Sequence, residues 1–515
     1  MHPDVMLRDA RLPGVDRPHD VLLRGGRVAA VTPAGGPRPA PAGVRAGGVR
    51  LDGRWLWPGL WDEHVHFTQW VKHRSRVDLA GTASAAEVVD VVRRAMPAGP
   101  ARAGATYVVG YGFRDGLWPD RPTRAALDAL DAHRPIVLIS KDLHCGWLNS
   151  AAAALLGADP GAGTDPDDSG LLRETAWIGT LDRLDRETAP GVDDYRAGAD
   201  AAARRGVVGV VDFENADNLR LWPQRVAGGV TALRVEASIW PARLPAAIAA
   251  GHRTGAPLDR HGLVTVGRLK VVVDGSLNTR TALCWDPYPG TVNHGVQAVA
   301  PTQLRDLLAT AHRAGIRPAV HAIGDRANTQ VIDEFERLGI PGVIEHAQLV
   351  AEADFARFGR LGLVASVQPE HAMDDRDVAD RYWAGRTGRS FAYRSLLDAG
   401  ATLRLGSDAP VSPLDPWAAL AAAVDRSRDG RDPWHPEQAL PRAAALAASA
   451  RGRTTVVVGD PADLVVLDHD PTGVEPRELR DMTVAGTLLA GRWTWNGLEQ
   501  TGRLEQTGHS LEQTG

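Results

Sequence analysis

The chain has 515 residues, a net charge of −5, and 44% hydrophobic and 23% charged residues, which excludes a disordered or fibrous protein. The weak negative charge offers no basic surface for nucleic acid or an anionic membrane. No apolar run reaches the roughly 18 residues of a membrane-spanning helix. Two cysteines, Cys145 and Cys284, suit a reducing compartment. Because the first residues do not resemble a secretory leader either, we expect a cytoplasmic protein.

Both ends of the chain carry short apolar runs that are separated by turn residues. In residues 1–58, Gly25-Gly26 and a Pro/Ala/Gly-rich stretch separate these runs. Residues 454–497 show the same pattern of short apolar runs and turn residues. Alternating apolar runs and turn residues are typical of short β-strands. We therefore predict a small β-sandwich domain that is discontinuous, with both termini contributing to it.

Between these ends, apolar runs alternate with Ala/Leu/Arg-rich helical patterns. Such alternation predicts a parallel sheet covered by helices, and eight units predict a closed (β/α)8 TIM-like barrel of the α/β class. We assign residues 59–69 and 196–453 to the barrel, 70–195 to a subdomain inserted after its first strand, and 498–515, with its LEQTG repeats, to a disordered tail. The eight strand candidates are 56–66, 206–213, 233–238, 267–274, 316–321, 342–346, 361–367 and 401–408.

Several strand candidates end in a residue that can bind a metal. His64 and His66 are two positions apart, so that on a strand both imidazoles face the same side. His321, His346 and Asp408 close three further strand candidates, at the end of the barrel where active sites lie. Imidazole and carboxylate ligands suit Zn²⁺, and also Mn²⁺ or Fe²⁺. The whole set of strand-end residues predicts a metal site. The HxH pair taken alone would also be explained by two hydrogen-bonded histidines.

Lys270 lies inside the apolar fourth strand candidate, where a free ammonium group would be costly to bury. One interpretation is an ion pair with Asp274 or another carboxylate. The other is carbamylation by CO₂, which turns the amine into an anionic bridge between two metals.

The sequence resembles the amidohydrolase superfamily and, within it, the amidohydrolase-3 group, which includes N-substituted formamide deformylases. The resemblance covers roughly residues 1–495. The segment before the first histidine, WDEH, departs from the group, which more often has a smaller residue there. The matching stretches are WPGLWDEHVHF, KDLHCGWLNSAAAALLG, SGLLRETA, GRLKVVVDGSLNTRTAL, VHAIGDRAN, IEHAQL, LGSDAPVSPLDP and GDPADLVVLD.

The resemblance implies two divalent metal ions and hydrolysis of an amide, N-formyl or cyclic amide bond. A hydroxide that bridges the two ions would attack the carbonyl carbon. Asp408 would accept the proton of this nucleophile and deliver it to the leaving nitrogen. The implied ligands are His64, His66 and Asp408 for the first ion, His321 and His346 for the second, and carbamylated Lys270 as the bridge.

Five further residues are candidates for substrate contact, with structural hydrogen bonding as the alternative. Three fall in the inserted subdomain and two in the barrel: Asp142, His144 and Glu174, and Arg280 and Gln368.

Two other functions compete with the binuclear hydrolase. A mononuclear deaminase on the same barrel typically has a glutamate three residues after the fifth-strand histidine, where this chain has Gly324, and lacks the lysine of strand four. A catalytically inactive scaffold would be expected to lose some ligands, and all are present. We expect a small-molecule substrate and, as the commonest soluble oligomer, a homodimer.

Overall fold

The computed structural model describes residues 4–35, 48–96, 107–115, 118–140, 145–158 and 169–498, except the side chains of residues 174, 175, 178 and 182. The chain divides into two compact units, residues 1–69 with 192–515 and residues 70–191. All but the first residue of the predicted tail, 498–515, lies outside the described ranges. In the part of the chain described, no helix is long and apolar enough to cross a membrane.

The N-terminal segment forms a four-stranded sheet of order β3-β2-β1-β4. Gly25 and Gly26 form the two-residue turn between β2 and β3, and both have a positive φ, as such hairpin turns require. The next strand, β5, joins a different sheet near the C-terminus. The strands are β1 (Val5–Ala10), β2 (His19–Arg24), β3 (Arg27–Pro33), β4 (Val49–Arg50) and β5 (Trp55–Pro58).

The second unit begins within helix α1 (Phe67–Arg74), directly after the first barrel strand β6 (Leu60–Val65). Its five-stranded sheet has the order β11-β10-β9-β8-β7. The strands are β7 (Val77–Asp78), β8 (Val108–Phe113), β9 (Ile136–Ser140), β10 (Cys145–Leu148) and β11 (Leu171–Arg173). The helices are α2 (Ala85–Ala95), α3 (Arg124–Asp128), α4 (Ser150–Leu155) and α5 (Glu174–Glu187).

Eight parallel strands form the central sheet of the first unit, in the order β18-β17-β16-β15-β14-β13-β12-β6. Its first and last strands meet through hydrogen bonds from His66 N to Ala409 O (2.9 Å) and from Asp408 N to His64 O (2.7 Å). The predicted α/β barrel is therefore confirmed. After β6 its strands are β12 (Val207–Asp212), β13 (Arg234–Ile239), β14 (Val264–Val272), β15 (Pro318–Ala322), β16 (Val343–His346), β17 (Val364–Val367) and β18 (Thr402–Leu405).

Helices cover the outside of this barrel, so that its strands are buried on both faces and need no alternation of polar residues. The α-helices are α6 (Val192–Ala203), α7 (Asn218–Ala227), α8 (Leu244–Ala249), α9 (Pro301–Arg313), α10 (Asp325–Leu338), α11 (Phe355–Leu361), α12 (Pro369–Tyr382), α13 (Tyr393–Asp398), α14 (Pro416–Asp425) and α15 (Arg442–Ser449). Short 3-10 helices occupy Pro241–Arg243, Glu352–Asp354, Thr387–Arg389, Pro436–Gln438 and Pro476–Leu479.

The C-terminal segment completes the second terminal sheet, of order β21-β20-β19-β5. Its strands are β19 (Leu464–Leu467), β20 (Val484–Leu489) and β21 (Arg492–Asn496). Leu7 and Val21 from the first sheet share one buried cluster with Leu56, Leu464 and Leu488 from the second. Both ends of the chain thus build one sheet domain, as the fold prediction required.

Charged residues, rather than apolar ones, fill one layer of the barrel interior. Arg451 pairs with Glu63 at 2.5 Å and with Glu236 at 2.6 Å, and its guanidinium carbon lies 3.3 Å from the centre of the Trp61 ring. Arg268 lies 3.5 Å from Glu63. Buried charges are tolerated when they are paired in this way. Glu63 directly precedes His64 in β6, so this charged layer adjoins one of the predicted metal ligands in the chain.

Candidate metal centre

The predicted metal ligands lie at or just beyond the carboxyl ends of four barrel strands. His64 and His66 belong to the end of β6, His321 to β15 and His346 to β16, and Asp408 follows β18. His346 has φ 75° and Asp408 φ 56°, in the left-handed region that is unfavourable for residues with a side chain. Such conformations persist where surrounding structure enforces them, and they are common at functional sites.

Three of these side chains form the core of the cluster. Ligand atoms of His64, His346 and Asp408 all lie within 4.8 Å of one another, and the three residues are buried. His66 Nε2 is 3.3 Å from Asp408 Oδ1. The His321 ring centre is 4.4 Å from that of His346. The barrel thus brings together five predicted ligands that are up to 344 positions apart in sequence (408 − 64 = 344).

Lys270, the sixth predicted ligand, reaches the same cluster from β14. Its Nζ lies 3.2 Å from His64 Nε2 and 4.2 Å from the centre of the Phe213 ring. Asp274, the alternative ion-pair partner, instead accepts hydrogen bonds from the backbone N–H groups of Leu283, Ile323 and Gly324. The lysine therefore faces the histidine cluster, and the oxygens of Asp274 are engaged elsewhere.

The donor set fits a divalent transition metal. Nitrogen and oxygen ligands without thiolate are those that Zn²⁺, Mn²⁺ and Fe²⁺ accept. Within the described residues, His66 Nδ1, His346 Nδ1 and Asp408 Oδ1 are buried and have no hydrogen-bond partner. Buried polar atoms are normally paired, so unpaired atoms on three neighbouring residues are expected of a site that takes a ligand.

The environment lowers the pKa values of four groups in the cluster. Burial lowers the pKa of His321 to about 3 and, like the nearby positive charge of Lys270, lowers that of His64. Burial opposes ionisation of Asp408, but the surrounding imidazoles outweigh it and hold its pKa well below the usual range. Burial lowers the pKa of Lys270 to about 8. The neutral imidazoles of His64 and His321 and the ionised carboxylate of Asp408 are the forms that bind metal ions. Burial acts in the same direction on His66, but the nearby carboxylate of Asp408 outweighs it and raises the pKa of that imidazole.

Two acids lie beside these imidazoles: Glu345, which the sequence prediction did not include, and Asp274, which it considered only as a partner of Lys270. Glu345 Oε2 lies 2.8 Å from His64 Nδ1, and both side chains are buried. Asp274 Oδ1 lies 3.5 Å from His321 Nε2, which also lies 3.4 Å from Gly275 O. A metal-bound histidine usually donates its second N–H to a carboxylate or carbonyl in this way. Glu345 could have been suspected, because it is a charged residue in the apolar sixth strand.

A fifth histidine, also absent from the sequence prediction, borders the cluster. His371 lies in the first turn of α12, its ring stacks on that of His346 with centres 6.0 Å apart, and its Nε2 is 3.9 Å from Asp408 Oδ2. It follows a strand by four residues instead of ending one. A search restricted to strand ends therefore passes over it.

The predicted substrate contacts fall in different places. Gln368 is buried beside the cluster, with Nε2 3.5 Å from His64 Nδ1. Arg280 is exposed in the loop after β14, with its guanidinium over Tyr382. Asp142 and His144 lie outside the described residues. Glu174 is the first residue of α5, and its side chain is likewise outside the description.

The amidohydrolase family model matches residues 49–494. The chain is 28% identical to Protein LONG AFTER FAR-RED 3 of Arabidopsis thaliana over 482 residues, which cover 85% of this chain and 79% of that protein. It is 26% identical to the N-substituted formamide deformylase of Arthrobacter pascens over an alignment of 543 residues, which covers 95% of this chain and 97% of that protein. The crystal structure of an uncharacterized metal-dependent hydrolase from Pyrococcus horikoshii OT3 matches with a TM-score of 0.72 at 25% identity, covering 92% of this chain and 98% of that one. The chain therefore belongs to the amidohydrolase family.

Proposed function

We propose that this protein is a metal-dependent hydrolase that cleaves the C–N bond of an amide, N-formyl or cyclic amide. The observation that carries this proposal is the buried carboxylate of Asp408, whose Oδ1 has no hydrogen-bond partner among the described residues and faces His64 and His66. Family membership supports a hydrolase. The relative named N-substituted formamide deformylase, which matches nearly the whole chain, directs attention to N-formyl substrates.

His64, His66 and Asp408 would hold a first divalent ion. A divalent ion at this position would polarise the carbonyl group and lower the pKa of water near it. Asp408 would accept the proton of the attacking water on a carboxylate oxygen and release it to the leaving nitrogen. His64 is held in place for this by Glu345.

His321 and His346 would hold a second ion, with Lys270 carbamylated as the bridge. This part of the proposal is supported by the burial of Lys270 and by its Nζ lying 3.2 Å from His64 rather than in an ion pair with Asp274. Expression with ¹³C-bicarbonate should then give one carbamate carbon signal, which Lys270→Arg should lack. A wild-type protein that holds two ions per chain without this signal would refute the bridge.

The position of Gly324 favours this hydrolase over the deaminase alternative. A Cβ atom at Gly324 would lie 2.1 Å from the backbone oxygen of Leu283. A glutamate therefore has no room there without movement of the loop after β14. The acid that a deaminase typically has at this position is replaced by glycine here, which counts against the deaminase alternative.

Metal content and hydrolysis, measured on the same preparation, test the proposal. The full chain is expressed without a histidine tag, with Zn²⁺ or Mn²⁺ and bicarbonate, and its metals are determined by elemental mass spectrometry. It is then incubated with N-benzylformamide, N-acetyl amino acids and dihydrouracil, with adenosine and cytosine as deaminase substrates. We expect two ions per chain and release of formate, acetate or a ring-opened product.

Asp408→Asn is the matched variant, because it keeps the shape of the side chain and removes the base. We expect its rate to fall by about 10²- to 10⁴-fold. Ammonia release from adenosine or cytosine with one bound ion would support the deaminase instead. A protein that binds no divalent ion after reconstitution would refute the proposed function.

A further inference from the structure

His371 offers a hydrogen-bond donor to the metal cluster that no other described group uses. Its side chain is 7% exposed and its Nε2 has no hydrogen-bond partner among the described residues. The nearest polar atom is Asp408 Oδ2 at 3.9 Å, too far for a hydrogen bond. The ring plane is fixed because it stacks on His346 at an angle of 11°.

The other ring nitrogen of His371 decides which tautomer is present. The side-chain amide nitrogen of Gln348 donates to His371 Nδ1 at 3.4 Å, and Gln348 is itself buried. A neutral imidazole that accepts at Nδ1 carries its proton at Nε2. In that tautomer Nε2 carries a proton and is a donor to the cluster, not a metal ligand, and the zinc content of His371 variants tests this assignment.

We propose that His371 is a catalytic residue that donates its Nε2–H to the carbonyl oxygen of the substrate. This inference rests on the proposed function. As the bond between the attacking oxygen and the carbonyl carbon forms, the C=O electron pair moves onto the carbonyl oxygen. The Nε2–H of His371 stabilises that negative charge, and the pair returns when the C–N bond breaks. The proton stays on Nε2 throughout, while Asp408 carries the proton that reaches the leaving nitrogen.

Neighbouring polar groups are less suited to this role. His66 Nε2 lies 3.3 Å from Asp408 Oδ1 and is itself a predicted metal ligand, and the amide nitrogen of Gln368 donates to the backbone oxygen of Ser366. A hydrogen-bond donor that is held in place and shielded from water stabilises a developing oxyanion far more than a mobile donor does. His371, buried and stacked, meets that requirement.

Two substitutions of His371 distinguish the contribution of its N–H donor from that of its aromatic ring. His371→Phe keeps the stacking on His346 and removes the donor, whereas His371→Gln places an amide N–H near the position of Nε2. We expect His371→Phe to lower kcat by about 10²- to 10³-fold, as the loss of one oxyanion donor does, with a smaller change in KM. His371→Gln should recover at least tenfold of that loss. His312→Phe, on the exposed side of α9, is the matched control and should leave kcat unchanged.

Binding measurements give a readout that is independent of turnover. Acetohydroxamic acid, which presents a carbonyl oxygen to a bound metal, is titrated into the zinc-loaded proteins by calorimetry. We expect its Kd to rise about tenfold in His371→Phe, with zinc content and Tm as in the wild type.

Each contrary result has a separate meaning. A His371→Phe protein that loses zinc would make His371 a ligand and overturn the inference. Unchanged kcat and unchanged Kd in His371→Phe would overturn it as well, while leaving the proposed hydrolase intact. If the zinc-loaded wild type neither binds acetohydroxamic acid nor hydrolyses any amide, the proposed function fails and the role of His371 fails with it.

Discussion

The imidazole of His64 and the carboxylate of Glu345 form a hydrogen bond of 2.8 Å between Nδ1 and Oε2, and both side chains are almost completely buried. The bond joins the first and sixth strands of the barrel across its interior. It leaves Nε2 of His64 facing Asp408 and Lys270. Glu345 thereby fixes both the tautomer and the orientation of a metal ligand.

Glu345→Gln should weaken metal binding by about 10- to 100-fold, because outer partners of metal-bound histidines contribute on that scale. The amide is close in shape to the carboxylate, so the fold should persist. Zinc affinity measured by competition with a chromophoric chelator checks this. Glu334→Gln replaces a glutamate that is equally buried but pairs with Arg305 outside the barrel, and it should bind zinc like the wild type. Equal affinities in the two variants would contradict the role of Glu345.

The barrel and the clustering of five candidate metal ligands were predictable from sequence, because apolar runs recur with a polar residue at their ends. The contact of Glu345 with His64 was not predictable, although a charged residue in an apolar strand could have drawn suspicion, since Glu345 and His346 are adjacent and a regular strand would direct them to opposite faces. The φ of 75° at His346 turns its side chain inward as well. Hydrophobic periodicity carries no information about such a backbone conformation. The tautomer of His371 likewise depends on a tertiary contact with Gln348.

Asp274 holds the loop after β14 against the fifth strand, and removing its carboxylate should destabilise the protein. It accepts hydrogen bonds from the N–H groups of Leu283 and Gly324 at 2.9 Å each and of Ile323 at 3.1 Å. Asp274→Ala leaves three buried donors unpaired, at about 1 to 3 kcal/mol each. We expect the free energy of unfolding in urea to fall by about 3 kcal/mol or more. Asp398→Ala, at an exposed ion pair with Arg394, should change it by less than about 1 kcal/mol.

Metal removal should lower thermal stability, because an ion that binds only the folded cluster stabilises it by mass action. At a free metal concentration of about 100 times Kd this contribution is about 2.7 kcal/mol. We expect Tm, followed by circular dichroism, to fall after chelation and to recover when Zn²⁺ is added. His64→Gln, which removes a central ligand, should show a much smaller recovery. A wild-type Tm that is insensitive to both treatments would contradict a metal held by His64, His346 and Asp408.

Arg451 neutralises the two acids in the charged layer, and its replacement should be costly. Arg451→Leu leaves Glu236 and the buried Glu63 without their shortest ion pairs, although Arg268 stays 3.5 Å from Glu63. Breaking a buried pair costs about 3 to 5 kcal/mol, and the two arginines that remain near Glu63, Arg268 at 3.5 Å and Arg404 at 4.0 Å, place our expectation near 3 kcal/mol. Urea unfolding checks this value, and Arg394→Leu, at an exposed pair, is the control. If Arg451→Leu is as stable as this control, the charged layer does not support the barrel. If it is less stable and also loses zinc, then the position of His64 depends on the charged layer.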